Sequence, residues 1–413
     1  MNRIEKLIQE LCPNGVEHKA LGEIGSFVRG GTFQRKDLFE SGNPGIHYGQ
    51  IHTVYNISTS KTVSFLDDLI YEKARKAQPG SLVVATTSED DEAVGKAVAW
   101  VGDRPVAVSG DAVIFEHHQD PKFVSYWFNT QEFHQQKLRY LTGTKVRRIA
   151  PASLEKMVFP VPPIEVQREI VKILDLFTEL EAELEAELEA RRKQYEYYRD
   201  QLLTFSEDGG ATWVELGTLA TVVSGSAFPK RMQGNQTGDF PFYKVSDMNL
   251  PGNETRMIHA NNYLSAESAD QLRAKPVTKN SVVFPKVGAA LATNKKRMTV
   301  RTSLIDNNIM AVTPRGNLCP RFLHHFLNTF DLVSIAHQHG AVPSIRKIEV
   351  ERIRIPLLEM SEQVKLSNLL DKFDALVNDL SSGLPAEIEA RRKQYEYYRD
   401  KLLTFKELQT EAA

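Results

Sequence analysis

The side chains in this 413-residue chain that could do chemistry are cations set among small residues. Gly143-Thr144-Lys145-Val146-Arg147-Arg148 and Gly340-Ala341-Val342-Pro343-Ser344-Ile345-Arg346-Lys347 stand at matching places in the two halves of the chain. Asn294-Lys295-Lys296-Arg297 adds a third basic cluster, and Tyr48-Gly49-Gln50 and Tyr243-Lys244 offer polar and aromatic groups at expected strand ends. Small residues beside paired cations let backbone N–H groups and guanidiniums reach phosphates or guanine edges. The candidate nucleic-acid contacts are therefore Tyr48, Gln50, Thr144, Lys145, Arg147, Arg148, Tyr243, Lys244, Asn294, Lys295, Lys296, Arg297, Ser344, Arg346 and Lys347. Surface Lys and Arg pairs are common and mostly solvated, so the weight lies on two clusters recurring at one place.

Catalytic patterns are missing from the same sequence. Gly95-Lys96-Ala97 lacks both the upstream glycine and the following Ser or Thr of a phosphate loop. No HExxH, nucleophile elbow or Asn/Asp-Pro-Pro-aromatic motif of an adenine methyltransferase appears. His117-His118 and His324-His325 are adjacent pairs, whose side chains project in different directions and do not make a metal site. Cys12 and Cys319 are far apart in sequence, with no zinc spacing, and are read as reduced thiols. The expectation is a non-enzyme without a metal or cofactor of its own. No apolar run reaches the roughly 18 residues of a membrane helix. The N-terminus lacks the apolar core of a signal peptide, so the chain is read as cytoplasmic, with no membrane partner.

Net charge hides a division. The whole chain carries 51 Lys and Arg against 53 Asp and Glu, but residues 211–356 carry 18 against 10 while residues 1–160 carry 19 of each. The remaining stretches, 161–210 and 357–413, carry 14 basic against 24 acidic residues. A basic domain is masked by acidic helices.

The elements that must position these clusters follow from an internal repeat. Glu189 to Phe205, EARRKQYEYYRDQLLTF, returns at Glu389 to Phe405 with one change, Gln201 to Lys401. Upstream, Pro121 to Asn129 answers Pro320 to Asn328, and Leu174-Asp175-Leu176-Phe177 answers Leu370-Asp371-Lys372-Phe373. Residues 1–160 read as an N-terminal helix at 2–11 followed by a strand-rich domain, with runs at Ile46-His47-Tyr48, Ser81 to Ala85, Lys96 to Trp100 and Ala112 to Phe115 and one helix at Pro121 to Leu141. Residues 161–208 read as a long helix, which at forty-odd residues would span about 60 Å. Residues 209–356 repeat the domain and 357–410 repeat the helix, which Ser381-Ser382-Gly383-Leu384-Pro385 should break. On pattern alone the repeated stretch is open to two readings: self-packing as a coiled coil, or presentation of one surface twice to two copies of a partner.

The whole plan resembles the specificity subunit of Type I restriction-modification enzymes. The resemblance rests on Leu11-Cys12-Pro13-Asn14-Gly15-Val16-Glu17, on Pro162-Pro163 followed by Gln167, on the two ARRKQYEYYRD stretches and on the domain-helix-domain-helix order. It implies an α+β fold with two strand-rich target recognition domains, separated by two long helices in an antiparallel coiled coil with a pseudo-twofold repeat. It further implies recognition of a bipartite, asymmetric double-stranded DNA target, two modification (methyltransferase) subunits and restriction (motor-nuclease) subunits as partners. S-adenosylmethionine, ATP and magnesium are then expected on those partners. Leu180, Leu184, Leu188, Leu376, Leu380 and Ile388 suit a coiled-coil seam. Arg191, Arg192, Tyr195, Tyr198 and Arg199, with Arg391, Arg392, Tyr395, Tyr398 and Arg399, have the composition of partner anchors. A self-contained DNA-modifying enzyme and a structural coiled-coil adaptor are the competing readings. The first lacks catalytic motifs, and the second leaves two diverged domains on near-identical helices unexplained.

Glu181-Ala182-Glu183-Leu184 is followed by Glu185-Ala186-Glu187-Leu188, one unit written twice, and the family varies its spacer by such tandem repeats. Four helical residues add about 6 Å, close to two base-pair steps. Deleting Glu185 to Leu188 is expected to shorten the unread gap of the methylated target and to leave both half-sequences as they were. Sequencing the methylated sites checks this, and altered half-sequences would refute it.

Overall fold

Val- and Ala-rich runs that end in turn residues build the centre of each half. A computed structural model describes residues 3–205, 211–337, 342–378 and 383–408 of the chain. In the first half, Leu82–Ala85 and Ala97–Trp100 are buried along their whole length, which is why they are apolar throughout and do not alternate. They lie inside a five-stranded sheet ordered Gly25–Arg29, Ala112–His117, Leu82–Ala85, Ala97–Trp100, Ser58–Thr59. The second half repeats that order with Ala220–Ser224, Ile309–Pro314, Val282–Pro285, Arg297–Thr299 and Arg256–Met257. In both sheets the ladders are antiparallel except for the last pair. A two-stranded ladder closes each half: Glu17–Ala20 with Val158–Val161, and Thr212–Glu215 with Arg354–Leu357.

Two local expectations are corrected. The run Ile46-His47-Tyr48 is not one strand: the strand is Asn43–Ile46 and Tyr48 opens a short helix, Tyr48–Thr53. His47 ends the strand because its Nδ1 accepts from Gly49 N–H at 3.2 Å while its own N–H donates to Gln50 Oε1 at 2.9 Å. The helix expected over 121–141 is two, Pro121–Trp127 and Gln131–Leu138, because Thr130 caps the second through its hydroxyl. Cys12 and Cys319 are buried and free.

The long helix runs unbroken over Ile164–Leu203. Its counterpart is two helices, Met360–Asn378 and Leu384–Leu403, with Pro385 in the first turn of the second. Leu380, Ser381 and Ser382, part of the expected seam and break, lie outside the described residues. Of the other seam positions, Leu188 packs on a core and Ile388 is buried, whereas Leu180 and Leu376 are exposed.

The chain gathers into two compact units, Met1–Ala182 with Arg391–Ala413, and Glu183–Ala390. Each unit therefore joins one strand-rich domain, the first part of the helix that follows it, and one copy of the repeated stretch. In the first unit Phe177 lies 5.7 Å from Tyr398 and Arg392 bonds Glu181 at 2.6 Å, so the two helical segments run antiparallel. Leu403 is fully buried in that core beside Phe123, Phe159 and Leu174, and Leu203 is buried in the other beside Phe322, Ile355 and Leu370. An expected domain that ends where the helix begins is thus extended by the helical segments that cover it.

One glutamine pins each helix start. Gln167 Oε1 accepts from Asp120 N–H at 2.9 Å and its Nε2 donates to Pro162 O at 2.7 Å. Gln363 Oε1 accepts from Cys319 N–H at 2.8 Å and its Nε2 donates to Asn317 O and Leu358 O, both at 2.8 Å. Both side chains are buried, so truncation leaves backbone groups without partners or water. Gln363→Ala is expected to lower the stability of its unit by about 2–3 kcal/mol. The exposed control Gln201→Ala should stay within roughly 0.5 kcal/mol. Urea unfolding midpoints of the full chain check the difference.

Candidate nucleic-acid interface

At the end of the central strand of each unit the chain lays down a short two-stranded strip. In the first unit Thr87–Ser88 pairs with Arg147–Arg148, in the register Arg148↔Thr87 and Arg147↔Ser88. In the second, Val287 pairs with Ser344 and Gly288 N–H donates to Pro343 O at 2.9 Å. The residue before the strip is fixed on both sides. Thr86 N–H donates to Asp111 O and its carbonyl accepts from Ile149 N–H, both at 3.0 Å. Lys286 does the same with Asn308 O and Ile345 N–H, both at 2.8 Å. A further bridge flanks each strip, between Thr142 and Arg148 in one unit and between His337 and Ser344 in the other.

This register corrects the alignment of the two basic clusters. Arg147 and Arg148 correspond to Pro343 and Ser344. Arg346 and Lys347 lie beyond the strip, at the start of the helix Lys347–Glu351, where the first unit has Ala150 and Pro151. Arg346 donates to Glu349 at 2.7 Å and Lys347 pairs with Glu351 at 3.2 Å, so both serve their own helix. Gly340 and Ala341 lie outside the described residues.

The candidates in the first strip divide. Thr144, Lys145 and Arg148 are exposed, and among the described residues neither Lys145 nor Arg148 forms an ion pair. Arg147 is held by Asp91 and by the carbonyl of Gly143, whose φ of +86° makes the turn, and so it rigidifies the loop. Tyr48 is half-buried beside His47 and His52, and Gln50 spends its amide on His47 N–H and Ser64 Oγ. Gln50 is a positioning group and not a free base reader.

The second unit removes more candidates. Tyr243 has no exposed surface and its hydroxyl donates to Met257 O at 2.7 Å, so it is a core residue. Lys244 stays half-exposed, 3.3 Å from Gln233 Oε1, and Lys295 binds Asn249. Asn294 takes a left-handed φ of 50°, and its side chain bonds Phe330 O, Leu332 N–H and Lys296 Nζ. Lys296 is 1% exposed, its ammonium donating to Phe330 O at 2.7 Å and Asn294 Oδ1 at 2.8 Å. Burial, followed by the charge of Arg199, pushes its pKa down to about 7. Arg297, beside it, is also lowered by burial, and both line a cavity of about 290 Å³ with Arg199, His324 and Asp374. Asn294, Lys296 and Arg297 of the third cluster thus belong to an internal polar network, and Lys295 stays at the surface.

Sequence reasoning missed Thr86, Lys286, His52 and Lys96. His52 Nε2 lies 3.0 Å from Thr87 O, and Lys96 is half-buried with its pKa lowered by that burial. The available signal was position: Thr86-Thr87-Ser88 and Lys286-Val287-Gly288 each follow directly on the buried central strand.

The expected partner anchors also divide. Tyr195 is buried, its hydroxyl 3.3 Å from His325 Nδ1, and Tyr395 is half-buried against Phe177; burial, partly opposed by the charge of Arg399, raises its pKa to about 12. Arg199 and Arg399 lie over those two rings and bond Asp200 and Asp400. These four are corrected to seat residues, packed within their own units. Arg191, Arg192, Arg391, Arg392, Tyr198 and Tyr398 remain at the surface. Tyr197 and Tyr397 are the most exposed aromatics of the repeat, at 61% each.

Comparisons with known proteins agree with this architecture. The family model described as the Type I restriction modification DNA specificity domain matches residues 13–190 and 210–390. The chain is 33% identical over 300 residues to the Type I restriction enzyme EcoR124I/EcoR124II specificity subunit of Escherichia coli, covering 70% of this chain and 72% of that one. It is 31% identical over 334 residues to a putative type I restriction enzyme specificity subunit of Haemophilus influenzae, covering 76% and 78%. A solved chain from a study of assembly and conformational transition in the type I R-M system matches its fold with a TM-score of 0.64 at 16% identity, covering 95% and 98%. The S subunit of a Type I system from M. genitalium matches with a TM-score of 0.52 at 14% identity, covering 94% and 96%.

Lys145→Ala with Arg148→Ala is expected to weaken binding of the full chain to duplex DNA and to lower the slope of log affinity against log salt by about 2. Lys296→Met should lower the unfolding midpoint and leave that slope unchanged. Fluorescence anisotropy across a salt series checks both, and an unchanged slope in the first variant would take the strip out of the interface.

Proposed function

The chain belongs to the family of Type I restriction-modification specificity subunits, the DNA-recognition component of the complex, and we propose that its two units read two different half-sequences of one asymmetric DNA target. The observation that carries the reading is the strip: one backbone arrangement appears in both units with different side chains on it. Two readers of one fold and unlike surface specify an asymmetric target, where a homodimer reads a palindrome. The chain itself is non-catalytic in this reading and works in the cytoplasm. Methyl transfer from S-adenosylmethionine, and ATP- and magnesium-dependent translocation and cleavage, belong to its modification and restriction subunits.

Two modification subunits dock on the chain, one for each copy of the repeat. The outward side chains Lys193 and Tyr197 recur as Lys393 and Tyr397, so two equal partners would meet two equal surfaces.

Co-purification with the modification subunit is expected to give two modification chains per specificity chain, with methylation confined to a two-part asymmetric sequence. The isolated chain should transfer no methyl group. Tyr197→Ala with Tyr397→Ala should reduce the complex while leaving the unfolding midpoint in place. Methylation by the isolated chain overturns the non-catalytic reading, and an intact 2:1 complex of the double variant overturns the docking surface.

A further inference from the structure

Superposing the two strips by their hydrogen bonds shows where the recognition surfaces differ. In the first unit the cations Arg147 and Arg148 sit on the returning strand, opposite Thr87 and Ser88, with Thr86 leading in. In the second unit the returning strand carries Pro343 and Ser344, and the cation is Lys286, on the outgoing strand at the position of Thr86. The positive charge has crossed from one strand of the strip to the other on an otherwise repeated backbone.

Position 286 is held more tightly than an ordinary surface residue. Its N–H and its carbonyl are both spent on neighbouring elements, Asn308 and Ile345, so the root of the side chain is fixed by two hydrogen bonds of 2.8 Å. The side chain itself is half-exposed, and among the described residues it has no hydrogen bond and no ion pair. A fixed root with an uncommitted donor at its end is the arrangement required of a base reader. A lysine there can donate to both guanine O6 and N7 in the major groove. Thr86, with the same fixed root, turns its hydroxyl back onto Asp111 O at 2.9 Å and presents its methyl. That leaves an apolar contact, the chemistry that meets a thymine methyl.

Building on the two-reader function above, we propose that the residue leading into the strip, Lys286 in one unit and Thr86 in the other, is a specificity-determining position, with Lys286 reading a guanine in the half-sequence of the second unit. The flanking contacts on the strip fix the register and position 286 supplies base identity.

The test uses the complex with the modification subunit and sequences its methylated sites for wild type, Lys286→Ala, Lys286→Arg and Arg148→Ala. Arg148→Ala, which removes a phosphate contact of the first unit, is the control and should weaken methylation of all sites alike. Lys286→Ala is expected to relax one guanine position in one half-sequence by roughly 5- to 150-fold in discrimination and to leave the other half-sequence unchanged. Lys286→Arg, which keeps the paired donors, should retain guanine. Both variants should unfold at the wild-type urea midpoint. An unchanged half-sequence overturns the assignment, as does a uniform loss of affinity across all sites with a salt slope lower by about 1, which marks a phosphate contact. Failure of the underlying function looks different: the wild-type complex itself would then methylate without a two-part sequence.

Discussion

One helical sequence must fit two different seats, and the rest of the chain is arranged around that constraint. Tyr195, Arg199 and Leu203 face inward in one unit, and Tyr395, Arg399 and Leu403 in the other. Each seat is built from a short helix and the start of the long helical segment, clamped by a cation and an aspartate. Lys122 pairs with Asp175 at 2.7 Å in the first unit, and Arg321 with Asp371 at 2.6 Å in the second. The difference lies in the third partner. Tyr126 bonds Asp175 at 2.8 Å, whereas the residue at its place, His325, bridges Asp371 at 2.7 Å to the Tyr195 hydroxyl. A tyrosine and a histidine thus do one job, holding an aspartate in place beneath the same incoming helix.

That seat explains half of the near-identity of the repeat without any partner. The inner positions are the same because the pockets that take them are built alike, and burying Tyr195 or Leu203 rewards one shape only. The outer positions have no such reason. Tyr197 and Tyr397 are exposed to the same extent and meet their neighbours Tyr198 and Tyr398 edge-on, at 5.5 and 5.3 Å. Under the proposed docking, self-packing and partner contact belong to opposite sides of one helix and are not rival accounts of the repeat.

Much of this was legible in the residues. The duplicated stretch, the buried central strands and the proline at position 385 announce the plan, because periodicity and backbone restriction act locally. What could not be read is tertiary. Lys296 looks like a surface cation until Phe330 O, thirty-odd residues away, is brought to its ammonium. Arg346 and Lys347 look like the partners of Arg147 and Arg148 until the strip sets its register through backbone bonds, which place Ser344 opposite Val287 and leave the two cations to the next helix. Thr86 and Lys286 carry one local mark, their place directly after a buried strand, and what distinguishes them beyond it is two backbone bonds to distant segments.

The charge balance of the two domains changes meaning once the side chains are placed. Residues 211–356 carry 18 cations against 10 anions, and residues 1–160 are balanced, which by itself would assign the stronger DNA contact to the second unit. Yet much of that surplus is turned inward or neutralised: Lys296 and Arg297 lie in the internal network, and Arg346 and Lys347 pair with Glu349 and Glu351. The neutral first domain instead exposes Lys145 and Arg148 on its strip, with Arg147 tied to Asp91 as a brace. Field at a contact falls off over roughly 8–10 Å at physiological salt, so the charges on the strip count there and those in the core do not. The unit with the smaller net charge therefore carries the more cationic strip, and among the described residues of the second unit's strip the cation without an ion pair is Lys286.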